Sequence, residues 1–361
     1  MFHLFNNKKV LITGHTGFKG SWLSYWLKLM GANVFGVGLK PHTNPSLFYT
    51  LGLEKDIHNS YIDIRDTENV IEIINTVQPD YLFHLAAQSL VINSYQDPVK
   101  TWSTNLIGTI NVLEGLRTIK KKCSAVIVTS DKCYENLEWI WGYRENDRLG
   151  GFDPYSASKG AAEIAIRSYI KSYFNDDSPV RIASARAGNV IGGGDWSDYR
   201  IIPDCIRSWS KGESVILRNP LSTRPWQHVL EPLSGYLLLG SELLQKSEFH
   251  SEPFNFGPSN NENFSVLELV KEMSIHWDKV GWLINKENNN KYESLLLKLN
   301  CDKALNFLKW ETVMNFKDTV ELTIEWYKYY YTNSNEVIDL TKNQIYSYMS
   351  KAKDKNIPWA I

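Results

Sequence analysis

The stretch KVLITGHTGFKGSWLSYWLKLM (Lys9 to Met30) runs from an unbroken apolar segment through three glycines into an amphipathic one. KVLIT reads as a strand buried on both faces, and GSWLSYWLKLM, from Gly20, has the apolar spacing of a helix. Between them Gly14, Gly17 and Gly20 leave the turn without side chains, so the backbone can bend tightly and approach a pyrophosphate at the helix N-terminus. A dinucleotide belongs there, with Thr16, Phe18 and Lys19 as the other members of the turn. The spacing is G-x-x-G-x-x-G, not the G-x-G-x-x-G of medium-length dehydrogenases.

Outward from this unit the alternation continues. NVFGV (from Asn33), SYID (from Ser60), DYLFHLA (from Asp80), SAVIVT (from Ser124) and PVRIASA (from Pro179) have strand character. TENVIEIINTVQ (from Thr67), PVKTWSTNLIGTINVLEGLRT (from Pro98) and SASKGAAEIAIRSYIKSYF (from Ser156) have helical spacing. Strand, helix, strand, repeated, implies right-handed parallel crossovers and a Rossmann-type doubly wound α/β sheet. After Arg186 the pattern breaks into GGGDWSDYRIIP (Gly192 to Pro203) and NPLSTRPWQH (Asn219 to His228), the composition of a loop-built lobe that holds a substrate. A strand at PFNFG (Pro253 to Gly257) and helices near 231–245 and 264–276 return the chain to the sheet. The expected organisation is a dinucleotide-binding domain at 1–186 joined by about 229–257, a smaller C-terminal α/β substrate-binding lobe at 187–228 and 258–330, and a tail at 331–361. KENNNKYE (Lys286 to Glu293) reads as an exposed loop.

Composition narrows the partners. Of 361 residues 43% are hydrophobic, and 39 basic side chains against 40 acidic ones leave a net charge of -1. No global field draws such a chain to nucleic acid or an anionic membrane, so a small molecule is the expected partner. No signal-peptide core and no membrane-length apolar run is present, which points to the cytoplasm. Cys123, Cys133, Cys205 and Cys301 lack metal-ligand spacing and read as reduced packing residues, with no metal expected.

Two further motifs carry chemistry. PYSASK (Pro154 to Lys159) places Tyr155 and Lys159 at i, i+4 on one helix face, where the ammonium can lower the phenol pKa while Tyr155 moves a proton. The strand before it ends in Thr129 and Ser130, a source of the hydroxyl that completes such a set, and Asn105 is the polar candidate on the neighbouring helix. That strand opens onto VTSDKCYENLEW (Val128 to Trp139), which sets Asp131 and Lys132 side by side; the alternative to an acid–base pair is a surface ion pair. Asp63 with Ile64, at the end of the third strand, suits an adenosine, whereas Lys40 sits where an acid usually holds the ribose.

GHTGFKGSWL (from Gly14), HLAAQ (from His84), YSASK (from Tyr155) and AGNV (from Ala187) resemble the extended short-chain dehydrogenase/reductase superfamily. Within it, TGHTGFKGSWL (from Thr13), SDKCYENLEWI (from Ser130) with GYRE (from Gly142), and ARAGNVIGGGDW (from Ala185) resemble the CDP-glucose 4,6-dehydratases over nearly all of residues 5–320. Sister sugar-nucleotide dehydratases carry Asp-Glu where this chain has Asp131 and Lys132. LVINSY (Leu90 to Tyr95) departs from relatives with an arginine near Ile92 or Asn93, so no basic contact is expected from that loop.

The resemblance implies NAD as cofactor, with Leu85, Ala86, Ala87 and Thr129 joining the residues already named around it, and Gln88 on the substrate side. It implies that Tyr155 takes the C4 hydroxyl proton as hydride passes to NAD⁺, supported by Ser130 and Lys159. Lys132 then removes the C5 proton, Asp131 protonates the departing C6 hydroxyl, and hydride returns to C6; Glu135 is the next candidate base. Asn189, Arg200, Arg224 and His228 are the polar groups expected to grip the nucleotide sugar, and a guanidinium suits its diphosphate. Trp196 and Trp226 are candidates to line that pocket. Relatives pair the helices near 98–118 and 155–174 into a four-helix homodimer interface, through positions such as Leu106, Ile110, Leu113, Ala162, Ile164, Ile166 and Tyr169. The rival readings are a 4-epimerase, which needs no acid–base pair for C5 and C6, and a non-catalytic NAD-binding protein, against which Ser130, Tyr155 and Lys159 stand together.

Overall fold

Strand β1 (Lys9–Thr13) is buried from Val10 onward, and a strand covered on both faces belongs inside a parallel sheet clothed by helices. The computed structural model describes residues 2–259, 262–284 and 296–360 and places β1 so. The further strands are β2 (Asn33–Gly38), β3 (His58–Tyr61), β4 (Tyr81–His84), β5 (Cys123–Val128) and β6 (Val180–Ala187). Beyond them lie the short β7 (Val190–Ile191), β8 (Val215–Leu217), β9 (Thr223–Arg224) and β10 (Gln227–His228), then β11 (Pro253–Phe256), β12 (Phe264–Ser265) and β13 (Trp282–Ile284). One sheet has the order β11-β6-β5-β4-β1-β2-β3, parallel throughout. The order reverses between β1 and β4, which opens a crevice at their C-terminal ends.

Helices cover both faces. On one side Val70, Val112, Leu116, Ile166 and Ile170 come from the helices Thr67–Val77, Gly108–Leu116 and Pro154–Tyr173. On the other, Trp22 and Trp26 of the helix Phe18–Leu29 pack with Leu233 and Leu237 of Leu230–Gln245. The segment read as one helix from Pro98 is interrupted by a π turn at Ser103–Ile107, which contains Asn105.

Past β6 the chain forms three two-stranded pairs, β7 with β10, β9 with β12 and β8 with β13. The expected tail boundary at 330 falls inside the helix Phe316–Thr332, and the tail folds into a further helix, Val337–Asp354. Tyr348 of that helix packs edge-on to Trp26 at 5.9 Å, while its hydroxyl donates to Glu231 at 2.8 Å. Periodicity leaves these C-terminal helices indistinct because Tyr, Trp and Lys fill many of their positions. Of the positions expected at a dimer interface, Leu113, Ala162 and Ile166 are buried in this chain's own core, whereas Ile164 is 62% exposed. KENNNKYE (Lys286 to Glu293) lies outside the described residues. No described helix is long and apolar enough to cross a membrane.

Candidate active site

The crevice continues into a cavity of about 690 Å³ that runs from the glycine turn to Arg218. Gly14, at φ +75°, sits so close to the loop after β4 that a Cβ would lie 2.7 Å from the Ala86 nitrogen. A Cβ on Gly20 would lie 2.1 Å from the Gly14 carbonyl oxygen, so glycine is required at both. Thr16 Oγ1 donates to the Leu39 carbonyl at 2.7 Å, which clips the turn to the end of β2. Gly17 caps the helix without a side-chain hydrogen bond, and its first N–H groups remain available to an anion.

A buried chain of hydrogen bonds fixes the other lip. Thr13 Oγ1 and His84 Nδ1 are 2.6 Å apart, and His84 Nε2 and Thr109 Oγ1 are 3.0 Å apart. Burial holds His84 near pKa 3, so it serves as a neutral strut below Leu85, Ala86 and Ala87, which line the cavity. Asn105, expected to touch the cofactor, is buried one layer back. Its side chain brackets the Gln88 backbone at 2.8 and 3.1 Å and donates to Ser158 at 2.9 Å, so it positions the loop. Gln88 lines the cavity, but its amide bonds to Leu90 and Thr101. Asp63 and Ile64 also line it; Arg65 hydrogen-bonds the Asp63 carboxylate at 2.6 Å and holds it below the usual range. Lys40 stands exposed at the mouth, 5.5 Å from the Tyr61 ring centre.

The end of β5 delivers the reactive groups. Ser130 caps a single 3-10 turn, Asp131–Cys133, by accepting the Lys132 N–H at 3.2 Å, and this turn aims Asp131 and Lys132 at the cavity. Asp131 is 3% exposed, which excludes the surface ion pair. Its Oδ1 accepts the Ser130 hydroxyl at 3.0 Å, while Oδ2 is buried without a partner. Burial raises its pKa, with Lys132 the largest opposing influence. A Cβ on Gly188 would lie 3.0 Å from Oδ2, so that glycine keeps the space beside the carboxyl open. Glu135 does not line the cavity and pairs with Arg148 at 3.0 Å.

Asp153 caps the next helix through the Ser156 N–H at 2.9 Å, and Pro154 begins it, so Tyr155 and Lys159 emerge from its first turns into the cavity beside Ser130. Burial pushes Tyr155 up to about 12 despite the hydrogen bond with Ser130. The lowering of the phenol expected from Lys159 does not emerge: desolvation dominates, Ser130 and Arg200 are the influences that oppose it, and the same desolvation brings Lys159 down to about 8. Lys19 falls to about 8 as well, through burial first and Arg200 second. The Thr129 hydroxyl is turned away and donates to Glu163 at 2.5 Å.

At the substrate end Asn189, Arg200, Arg224 and Trp226 line the cavity. Asp195 fixes Arg200 by an ion pair at 2.7 Å, and Arg200 also donates to Ser89 at 3.2 Å. His228 does not join them. It is fully buried behind the wall against Trp22, its Nε2 has no partner, and desolvation pushes it down to about 3, so packing explains it. Trp196 packs edge-on to Trp326 and Tyr327 and tilted against Tyr330, and is core. Asp195, Tyr199, Asp204 and Arg218 line the cavity without having been singled out by sequence; Asp195 and Tyr199 lie in the GGGDWSDYRIIP run, whereas Asp204 and Arg218 fall just outside the runs that marked the lobe. Among the described residues no cluster of His, Cys, Asp and Glu has the makings of a metal site.

The chain is similar to known proteins over most of its length. The profile of a family described as GDP-mannose 4,6 dehydratase matches residues 11–323. The chain is 45% identical over 354 residues to the CDP-glucose 4,6-dehydratase of Salmonella typhimurium, covering 96% of this chain and 98% of that one. It is 25% identical over 342 residues to the CDP-paratose 2-epimerase of Salmonella typhi, covering 88% and 98%. The fold matches the structure of dTDP-glucose 4,6-dehydratase from Bacillus anthracis in complex with NAD at a TM-score of 0.73 and 20% identity, over 92% of this chain and 99% of that one.

Proposed function

The chain belongs to the GDP-mannose 4,6-dehydratase family of nucleotide-sugar enzymes, and from that premise we propose that it converts CDP-glucose to CDP-4-keto-6-deoxyglucose with NAD⁺ as its cofactor. The observation that carries this reading is the buried carboxyl of Asp131 beside Lys132, facing the same cavity as Tyr155 and Lys159. A 4-epimerase has no use for that additional acid and base.

The glycine cradle and the uncapped helix start fit a dinucleotide pyrophosphate, held by residues 14–20, with Asp63 and Ile64 at the adenosine and Leu85, Ala86, Ala87, Tyr155 and Lys159 toward the nicotinamide. When bound, NAD⁺ supplies the acceptor for the C4 hydride and its return at C6. Tyr155 takes the proton of the C4 hydroxyl as its phenolate; burial pushes the phenol up to about 12, with the Ser130 hydrogen bond and Arg200 opposing, and the Lys159 ammonium one turn on favours the ionised form further. The C4 ketone acidifies the C5 hydrogen; Lys132 removes it and returns a proton to C5 when hydride comes back at C6. Asp131 protonates the C6 hydroxyl as it leaves as water, a role that suits a carboxyl whose burial favours the protonated form. Arg200 and Arg224 face the diphosphate.

The same reading divides the chain into a dinucleotide domain (1–186 with about 229–257) and a substrate lobe (187–228 and 258–330), and sets the enzyme in the cytoplasm at an early step of O-antigen-type deoxysugar synthesis in lipopolysaccharide. It also makes the protein a homodimer through a four-helix interface, for which Val99, Ile107 and Ile164, at 77%, 45% and 62% exposure, supply uncovered apolar surface. The test is incubation with CDP-, dTDP-, UDP- and GDP-hexoses and catalytic NAD⁺, read by mass spectrometry for loss of water. CDP-glucose should be preferred, with no build-up of NADH; preference for dTDP-glucose would overturn the substrate, and NADH in proportion to product would overturn the dehydratase.

A further inference from the structure

Besides Arg200 and Arg224, the same lobe lines the cavity with Tyr199, Asp204, Ile216 and Arg218, which no step of the reaction uses. Tyr199 is held at φ +63°, a left-handed conformation unfavourable for a side chain of this size. Its ring remains 50% exposed, with the Arg218 guanidinium 5.7 Å from its centre, and Arg218 Nη2 donates to its carbonyl at 3.1 Å. The chain thus keeps a strained residue in place to present an aromatic face at the cavity. Asp204, in the first turn of the helix Ile201–Trp209, is steadied by Arg207, which donates to Oδ1 at 2.6 Å and to the Trp196 carbonyl at 2.9 Å. Asp204 Oδ2 lies 3.8 Å from Arg218 Nη2 and accepts no hydrogen bond among the described residues.

We propose that Tyr199, Arg218 and Asp204 form the nucleobase subsite, and that Asp204 selects cytosine by accepting a hydrogen bond from its exocyclic amine. This rests on the nucleotide-sugar reading above and names what the far end of that substrate meets. A nucleotide sugar whose hexose lies at Tyr155 and whose diphosphate lies at the two arginines must extend its base beyond them. Cytosine and uracil have the same outline but opposite polarity on one edge: amine donor and N3 acceptor in cytosine, carbonyl acceptor and N3–H donor in uracil. A carboxylate beside a guanidinium matches the first edge, since Asp204 accepts from the amine and Arg218 donates to N3 or O2. Against uracil or thymine it sets oxygen against oxygen and donor against donor, which rejects as well as selects. Tyr199 gives the ring a stacking face that every base can use, so it contributes grip without choice.

The test is calorimetric binding of CDP and UDP to the full-length protein saturated with NAD⁺. Wild type should prefer CDP by roughly 100-fold, the order of discrimination that a two-point hydrogen-bonded contact gives against the wrong base edge. In Asp204→Asn the amide serves either edge, so CDP should weaken, UDP should gain, and most of the preference should vanish. Arg218→Met should shrink the ratio through N3 and carries the test if Asp204→Asn does not fold. Tyr199→Leu should weaken both nucleotides by about tenfold and leave their ratio intact. An unchanged CDP:UDP ratio in Asp204→Asn and Arg218→Met, or equal weakening of both ligands in them, would overturn the proposal. So would a wild type without preference; whether the dehydratase reading then stands is decided separately by loss of water from CDP-glucose.

Discussion

Two carboxyls lie buried beside the end of β5, and their surroundings are opposite. Beneath the crevice, Glu163 accepts Thr129 and Arg186 Nε on one oxygen at 2.5 and 3.0 Å, and Ser184 and Arg186 Nη2 on the other at 2.9 and 2.8 Å. Every acceptor is used, the cation is adjacent, and its pKa is lowered. Asp131, at the crevice itself, has one hydrogen bond on Oδ1, an orphaned Oδ2, and a raised pKa. Burial acts on both; what differs is the completeness of the partner set. A finished network marks a carboxylate that holds the sheet to its helix, and an unfinished one marks a carboxyl left open to a ligand.

Exchanging each acid for its amide should separate these roles. Asp131→Asn should lower turnover by about 10²–10⁴-fold, the usual contribution of a general acid, while its melting temperature holds or rises. Glu163→Gln leaves Arg186 buried without its counter-charge and should cost about 3–5 kcal/mol of stability, while the molecules that remain folded keep turning over. Turnover and thermal denaturation of both variants check the pair; a stability loss in Asp131→Asn matching that of Glu163→Gln would erase the contrast.

Glu231 sharpens the comparison at smaller amplitude. It accepts the Val313 and Met314 N–H groups and the Tyr348 hydroxyl, yet burial outweighs these hydrogen bonds and the weaker pull of Lys355 and takes it up to about 7. Because the folded pKa lies above the unfolded value, the native state binds more protons between roughly pH 4.5 and 7, and stability falls as pH rises through that window. His84 and His228, lowered from 6.5 to about 3, impose the opposite slope over that range, which overlaps the Glu231 window but is common to wild type and variant and cancels in their difference. Denaturant midpoints of wild type minus Glu231→Gln across pH 4–8 should therefore isolate a decline with pH. A flat difference would mean that the docking of the C-terminal helix does not depend on that proton.

The sheet was legible because KVLIT and SAVIV are apolar on both faces and the glycines follow β1 directly. Ser130, Asp131, Tyr155 and Lys159 were legible because strand-end position and helical spacing carry their geometry in local sequence. His228 was not: a histidine among Pro and Trp suits a pocket wall as well as the packing beside Trp22. Asn105 was read one layer too near the ligand, since chain order cannot separate a residue that touches a cofactor from one that holds the loop that does. Tyr199 and Arg218 meet only through tertiary folding across 19 positions, with a left-handed tyrosine that no propensity anticipates.

The central claim is that Lys132 removes the C5 proton in a site where Tyr155 has already permitted oxidation at C4. Its most direct test is Lys132→Met in a single turnover with CDP-glucose and NAD⁺, following NADH absorbance together with exchange of the C5 hydrogen in deuterated water. The account predicts that NADH absorbance still appears, because Ser130, Tyr155 and Lys159 are intact, while C5 exchange and loss of water slow by about 10²–10⁴-fold. Near-normal C5 exchange and product formation in the variant would contradict it.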